Sequence, residues 1–305
     1  MNSRRFPRRS ILGVLLLGLA SVWVVAQGAP PVSSPVTPAV QELRDIGAKD
    51  PLRILQMLPD SPTFARIQTR TYDFKEAGRP MEYELYVPSK YNNSRPTPLI
   101  VALHCLGAVA HDMIRYEHLT ELAEERGYIV VAPMGYNNHG WYGSRGPGHG
   151  PVGGRGSFAT KDDPDNLGEL SELDVTNVLS AVRKEFNIDP NRTYLMGHSM
   201  GGGGTWYLGI KHPELWAAIA PAAPAILSSP DDLVKIRATP VIVVQGDDDR
   251  AVRVETTRLW VEKMKSLGMK YEYIEVPGGD HMTVICRSPE NMTKIFDFFD
   301  QTRRH

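Results

Sequence analysis

The sequence predicts a single α/β domain with a mostly parallel central sheet and helices on both faces. Two observations carry this. After Pro98, short runs dense in Val, Ile, Leu and Ala alternate with amphipathic stretches of helical length, as expected for parallel strands covered on both sides. The chain of 305 residues, 42% apolar and 23% charged, is also long enough for one large core.

The strands are expected at Leu99–Leu103, Ile129–Ala132, Thr193–Met196, Ala217–Ala220, Val241–Val244 and Tyr271–Val276. Helices are expected between them at Met113–Arg126, Ser171–Glu185, Met200–Lys211 and Glu255–Leu267, with Ser171 as an N-terminal cap. Upstream, Ile67–Phe74 and Met81–Val87 flank the turn Ala77-Gly78-Arg79-Pro80 and read as an antiparallel hairpin. Leu43, Ile46, Leu52, Leu55 and Leu58 follow the spacing of one face of a short helix or two. Residues 136–168 break the rhythm as a long glycine-rich loop holding His139, Trp141, Tyr142, His149 and Phe158.

The first residues stand apart from the fold. Arg4, Arg5, Arg8 and Arg9 precede an apolar run from Ile11 to Val25, the pattern of a signal peptide ending near Gly28. Residues 29–40, rich in Pro, Ser, Thr and Val, read as a flexible linker, and 41–305 as the single α/β domain with its helical and hairpin extension. A secreted or periplasmic protein with no stable membrane association after cleavage is expected. The formal net charge is −1, and removing the four arginines leaves about −5. That balance argues against nucleic acid and anionic surfaces as partners. Cys105 and Cys286 are the only cysteines, too few for a zinc site; in an oxidising compartment they either pair or remain as buried thiols.

The chemistry centres on Gly197-His198-Ser199-Met200-Gly201. With 27 glycines in the chain, chance supplies a Gly-x-Ser-x-Gly match in roughly one such chain in eight. Its context is more specific, because a strand precedes the turn and a helix follows it. Side chains at Gly197 and Gly201 would collide with the adjoining strand and helix. Ser199 then stands exposed as a nucleophile, and the Met200 N–H at the helix start can stabilise an oxyanion. A serine hydroxyl needs a base at neutral pH, and the base needs a carboxylate. Val241–Val244 leads into Asp247-Asp248-Asp249, and Tyr271–Val276 leads into Gly278-Gly279-Asp280-His281. His281 is the expected base. Asp249 is the first choice of acid and Asp248 the second, with Asp247 assigned to loop backbone. His104-Cys105-Leu106-Gly107 follows the first parallel strand, and the Leu106 N–H is the expected second oxyanion donor. Trp141, Tyr142 and His198 are candidate substrate-binding residues.

The run Asp189-Pro190-Asn191-Arg192-Thr193-Tyr194, followed by Gly-His-Ser-Met-Gly-Gly and Thr205-Trp206, resembles the polyhydroxybutyrate depolymerase, feruloyl esterase-like and predicted peptidase branch of the α/β-hydrolases. The likeness runs from about Met81 to the C-terminus. It implies an α/β-hydrolase fold, a Ser199–Asp249–His281 triad, oxyanion donors at Met200 and Leu106, and neither cofactor nor metal. The implied activity is hydrolysis of small-molecule or polymer carboxylic esters through an acyl-enzyme. Small peptides are the alternative substrate, and a non-catalytic binding protein is a third reading. One departure is visible: the family has His-Gly where this chain has His104-Cys105.

Overall fold

The computed structural model describes residues 38–150 and 158–304. The expected signal peptide, all but the end of the linker, and residues 151–157 of the glycine-rich loop lie outside the described residues. Helix α1 (Pro38–Lys49) begins within the stretch read as linker, and α2 (Arg53–Gln56) follows it. The hairpin is present as β1 (Ile67–Phe74) and β2 (Arg79–Tyr86), paired antiparallel with Ile67 opposite Tyr86. Next come β3 (Thr97–Leu103), α3 (Ala110–Ile114), α4 (Leu119–Arg126), β4 (Ile129–Pro133), α5 (Leu167–Glu185), β5 (Ile188–His198) and α6 (Met200–Lys211). The chain continues through β6 (Ala218–Ala222), β7 (Val241–Gly246), α7 (Val254–Ser266), β8 (Tyr271–Val276), α8 (Thr283–Cys286) and α9 (Pro289–Asp300).

The eight strands form one sheet in the order β1-β2-β4-β3-β5-β6-β7-β8. β2 runs antiparallel to β4, and every pair from β4 through β8 is parallel. The two-residue period of the strands sorts their side chains onto opposite faces. Ile100, Val130, Tyr194, Met196, Ile242 and Val244 pack on one side with Leu119, Leu122, Met292, Phe296 and Phe299 of α4 and α9. Leu99, Val101, Val131, Leu195, Val241 and Val243 pack on the other with α5, α6 and α7, through Val178, Leu179, Trp206 and Trp260. Every residue of β3 is buried, which accounts for the continuous apolar runs in the central strands. All parallel strands end on the same edge, where the loops after β3, β4, β5, β7 and β8 assemble.

Three expectations are corrected. The helix expected at Met113–Arg126 is broken into α3 and α4, with His118 in the left-handed region at φ 68°. Leaving the helix lets Glu117 N–H donate to the Cys286 carbonyl at 3.1 Å, a tertiary contact that a continuous helix would forbid. Ser171 does not cap α5, which starts at Leu167; Ser171 is buried inside the helix and its Oγ accepts the Tyr142 N–H at 2.9 Å. β5 is longer than expected, extending back to Ile188.

Asp174 of α5 anchors the turn after β4. Its carboxylate accepts from Tyr72 Oη at 2.5 Å and from Gly135 N at 2.6 Å. Burial pushes this carboxyl up to about 6, even though these donors pull the other way. A folded-state value above the unfolded one, near 4, means stability that is fully present below about pH 4 and is lost as pH rises through about 6. The unfolding free energy of Asp174→Asn should therefore gain on that of the wild type, by roughly 1–3 kcal/mol, between pH 4.5 and 7.5. Urea unfolding at both pH values measures this, and a pH-independent difference contradicts it.

Candidate active site

Ser199 sits between the last residue of β5 and the first of α6, with φ 56° and ψ −113°. A non-glycine residue held there stores on the order of 1–3 kcal/mol of strain, so its surroundings must enforce it. They do so by close approach. A Cβ on Gly197 would lie 2.3 Å from the Gly201 carbonyl oxygen, and one on Gly201 would lie 2.2 Å from the Leu103 carbonyl oxygen. Only glycine at both positions lets α6 start directly against β3 and β5. The Ser199 N–H donates to Ala222 O at 3.0 Å, pinning the turn to the end of β6.

The Ser199 hydroxyl lies 2.8 Å from His281 Nε2, and His281 Nδ1 lies 2.8 Å from Asp249 Oδ2. A carboxylate on Nδ1 fixes the proton there, so Nε2 is left to accept from the serine. His281 is held by the turn after β8, where Asp280 Oδ1 accepts the Met282 and Thr283 N–H groups at 2.8 and 2.9 Å. Asp249 is buried beyond β7. Its Oδ1 accepts the Ala251 and Val252 N–H groups at 2.9 and 2.8 Å, and its Oδ2 also accepts from Gln245 Nε2 at 2.9 Å. Burial alone would raise this carboxyl; the hydrogen bond and charge of His281, with the two amides, outweigh it and leave Asp249 below its ordinary value. It therefore stays ionised at neutral pH.

The other two aspartates take different partners. Asp247 Oδ1 accepts the Gly278 N–H at 2.5 Å, tying together the loops after β7 and β8. Asp248 is exposed and lies 3.5 Å from Arg250. Of the three, Asp249 alone bonds the His281 ring.

The two amides expected as oxyanion donors lie just after β5 and β3. Met200 N–H begins α6, where the helix dipole is positive, and Leu106 N–H lies in the loop after β3. Neither donates to a backbone or side-chain acceptor among the described residues. The loop is fastened by Tyr142, whose Oη lies 3.0 Å from His104 N and 3.4 Å from His104 O, and by Gly107 N–H donating to Asn138 O at 2.9 Å. The His104 ring lies between Met134 O at 2.8 Å and Cys105 O at 2.9 Å, and burial holds its pKa down. Cys105 and Cys286 are free buried thiols.

The substrate-binding expectations need correction. Tyr142 is fully buried and spends its hydroxyl on the loop backbone. Trp141 is nearly buried, with the Arg145 guanidinium 3.9 Å from its ring centre. His198 is fully buried and bonded through both ring nitrogens. Tyr142 and His198 thus offer no free face to a ligand, and Trp141 keeps only 9% exposure. Among the described residues the most exposed phenylalanine or tryptophan ring is Phe158, 43% exposed, and its edge lies against Gly107 of the loop after β3. Sequence reasoning also missed Gln245, Tyr116 and the fastening role of Tyr142; nothing in local pattern marks them, because their partners are distant in the chain. Among the described residues no group of three His, Cys, Asp or Glu could hold a metal ion.

A nucleophile-type elbow at the end of the third parallel strand, with an acid after β7 and an imidazole after β8, defines an α/β-hydrolase of the serine esterase type. Residues 75–284 match the family model described as "Putative esterase", and the chain belongs to this esterase family. Among curated proteins it is similar to "Putative esterase NocK" of Nocardia uniformis subsp. tsuyamanensis, 28% identical over 79% of this chain and 64% of that protein. It is also similar to "Cutinase 2" of Thermobifida cellulosilytica, 31% identical over 51% of this chain and 60% of that protein. The chain thus spans less than two thirds of the length of either relative. A solved thermostable esterase superposes with a TM-score of 0.61 at 24% identity, covering 79% of this chain and 64% of that one. A ferulic acid esterase from Anaeromyces mucronatus gives 0.56 at 16%, covering 81% and 94%. These likenesses establish the α/β-hydrolase fold.

Gly201→Ala should destabilise the protein by about 1–3 kcal/mol or more, because the new methyl meets backbone on β3. Thermal unfolding reads this as a fall of several degrees in Tm; an unchanged Tm contradicts the close-approach account.

Proposed function

We propose that this chain hydrolyses carboxylic esters through an acyl-enzyme formed on Ser199. The observation that carries the reading is the unbroken hydrogen-bonded series from Ser199 Oγ through His281 to Asp249, with both links at 2.8 Å. Membership of the esterase family supports the same chemistry.

In the reaction, Ser199 Oγ attacks the ester carbonyl carbon as its proton passes to His281 Nε2. The imidazolium is stabilised by ionised Asp249. The carbonyl oxygen becomes an oxyanion and takes hydrogen bonds from the Met200 and Leu106 N–H groups, each such donor being worth on the order of 10²–10³ in rate. Collapse breaks the bond to the alcohol, which leaves with the proton from His281. Water then gives its proton to His281 and attacks the acyl carbon, and the acid departs as Ser199 recovers its hydrogen. The substrate is a small or polymeric ester, with Phe158 bordering the loop that carries Leu106. The arginine-led apolar segment at residues 4–25 supports export to a secreted or periplasmic location.

With aryl and short-chain alkyl esters, Ser199→Ala should lower kcat by at least about 10⁴, and Asp249→Asn by about 10⁴ by leaving the imidazole in the wrong tautomer. Steady-state kinetics on both variants, with small peptides as parallel substrates, test this. Unchanged ester turnover by Ser199→Ala, or peptide turnover without ester turnover, contradicts the reading.

A further inference from the structure

His198 precedes the nucleophile, is fully buried, and takes no part in the proton transfers above. Its Nε2 lies 2.8 Å from the backbone carbonyl oxygen of His281. A carbonyl can only accept, so Nε2 carries the ring proton and Nδ1 is an acceptor. Tyr116 Oη lies 2.7 Å from that Nδ1 and donates to it. The same oxygen is 3.8 Å from Cys105 Sγ, beside Leu106. With the phenol's one proton directed to His198, this contact is left to the thiol's hydrogen. Burial pushes the Cys105 thiol up to about 12 and, together with the charge of His281, the His198 ring down to about 3, so both groups keep the neutral forms this series requires.

Tyr116 stands where α3 breaks from α4, and the next residue grips the same region again: Glu117 N–H donates to Cys286 O, at the end of α8. The short stretch from His281 to Cys286 is thus held at its far end by Glu117 and at its near end by His198, the ring that Tyr116 bonds. Two hydrogen bonds of the turn before it run to the β7 loop, from Gly278 N–H to Asp247 and from Asp248 N–H to Gly279 O. Those bonds fix His281 relative to the acid. The His198 bond fixes it relative to the nucleophile, because the donor is the residue covalently joined to Ser199.

We propose that Tyr116 and His198 are positioning residues that hold the His281 backbone, and through it the imidazole, in register with Ser199 and with the loop bearing Leu106. The proposal rests on the assignment of His281 as base. Its physical basis is the tight tolerance of proton transfer: a displacement of about 1 Å costs up to roughly 10² in rate, and partners of this outer kind are worth about 10–100-fold in metal sites with the same architecture of a ligand held by a neighbour.

Tyr116→Phe removes one hydroxyl and keeps the ring; His198→Leu removes the donor to His281; His198→Gln keeps an N–H at comparable reach. Tyr116→Phe and His198→Leu should lower kcat roughly tenfold or more with KM within about twofold, and His198→Gln should recover much of the loss. In proton NMR, the downfield His281 Nδ1–H signal, assigned by its loss in His281→Gln, should shift or broaden in Tyr116→Phe. Wild-type kcat and an unmoved signal in folded Tyr116→Phe overturn the proposal, whether or not His198→Leu folds. If wild-type protein neither turns over esters nor labels at Ser199 with a fluorophosphonate, the functional reading fails, and the Nδ1–H signal still decides the positioning role.

Discussion

The left-handed backbone of Ser199 is the constraint on which the rest of the site depends. It is unfavourable for a serine, and it persists because β3, β5 and α6 come so close that Gly197 and Gly201 have backbone where a Cβ would be. From that one geometry follow the projection of the hydroxyl above the sheet edge and the placement of the Met200 amide at a helix start. The strain is supported by the central strands β3 and β5, which are buried where they approach the elbow and covered on both faces.

Around this fixed point the other groups are placed by loops rather than by regular structure, and each loop is tied by hydrogen bonds suited to its task. Asp249 is surrounded by donors that keep it ionised despite burial. The loop after β3 is fastened by Tyr142 and Asn138, leaving the Leu106 amide unspent. Buried polar groups are costly when unpaired, so the dense pairing here keeps the loops rigid while the Ser199 hydroxyl stays available.

Much of the fold was legible because its signals are local. Apolar runs marked β3, β4 and β7, and the strand-turn-helix order around Ser199 marked the elbow before any contact was known. What stayed hidden depends on pairing across the chain. The break at His118 answers to the Cys286 carbonyl, and Ser171 is a partner of Tyr142 rather than a cap. Aromatic residues in a glycine-rich loop suggested ligand contact at Trp141 and Tyr142, yet both are turned inward, Tyr142 onto the backbone at His104. Composition cannot distinguish a ring that faces solvent from one that clamps a loop. The three consecutive aspartates are a related case: identical side chains in adjacent positions meet three different environments.

The central claim is that Ser199 carries the acyl group during ester hydrolysis. Rapid quenching of a reaction with an activated ester, followed by mass spectrometry of the proteolysed protein, tests it most directly. An acyl-sized mass increase on the peptide containing Ser199, forming and decaying at rates compatible with turnover, is the predicted result. Ester turnover with no adduct on that peptide, and an adduct on another residue, would contradict it.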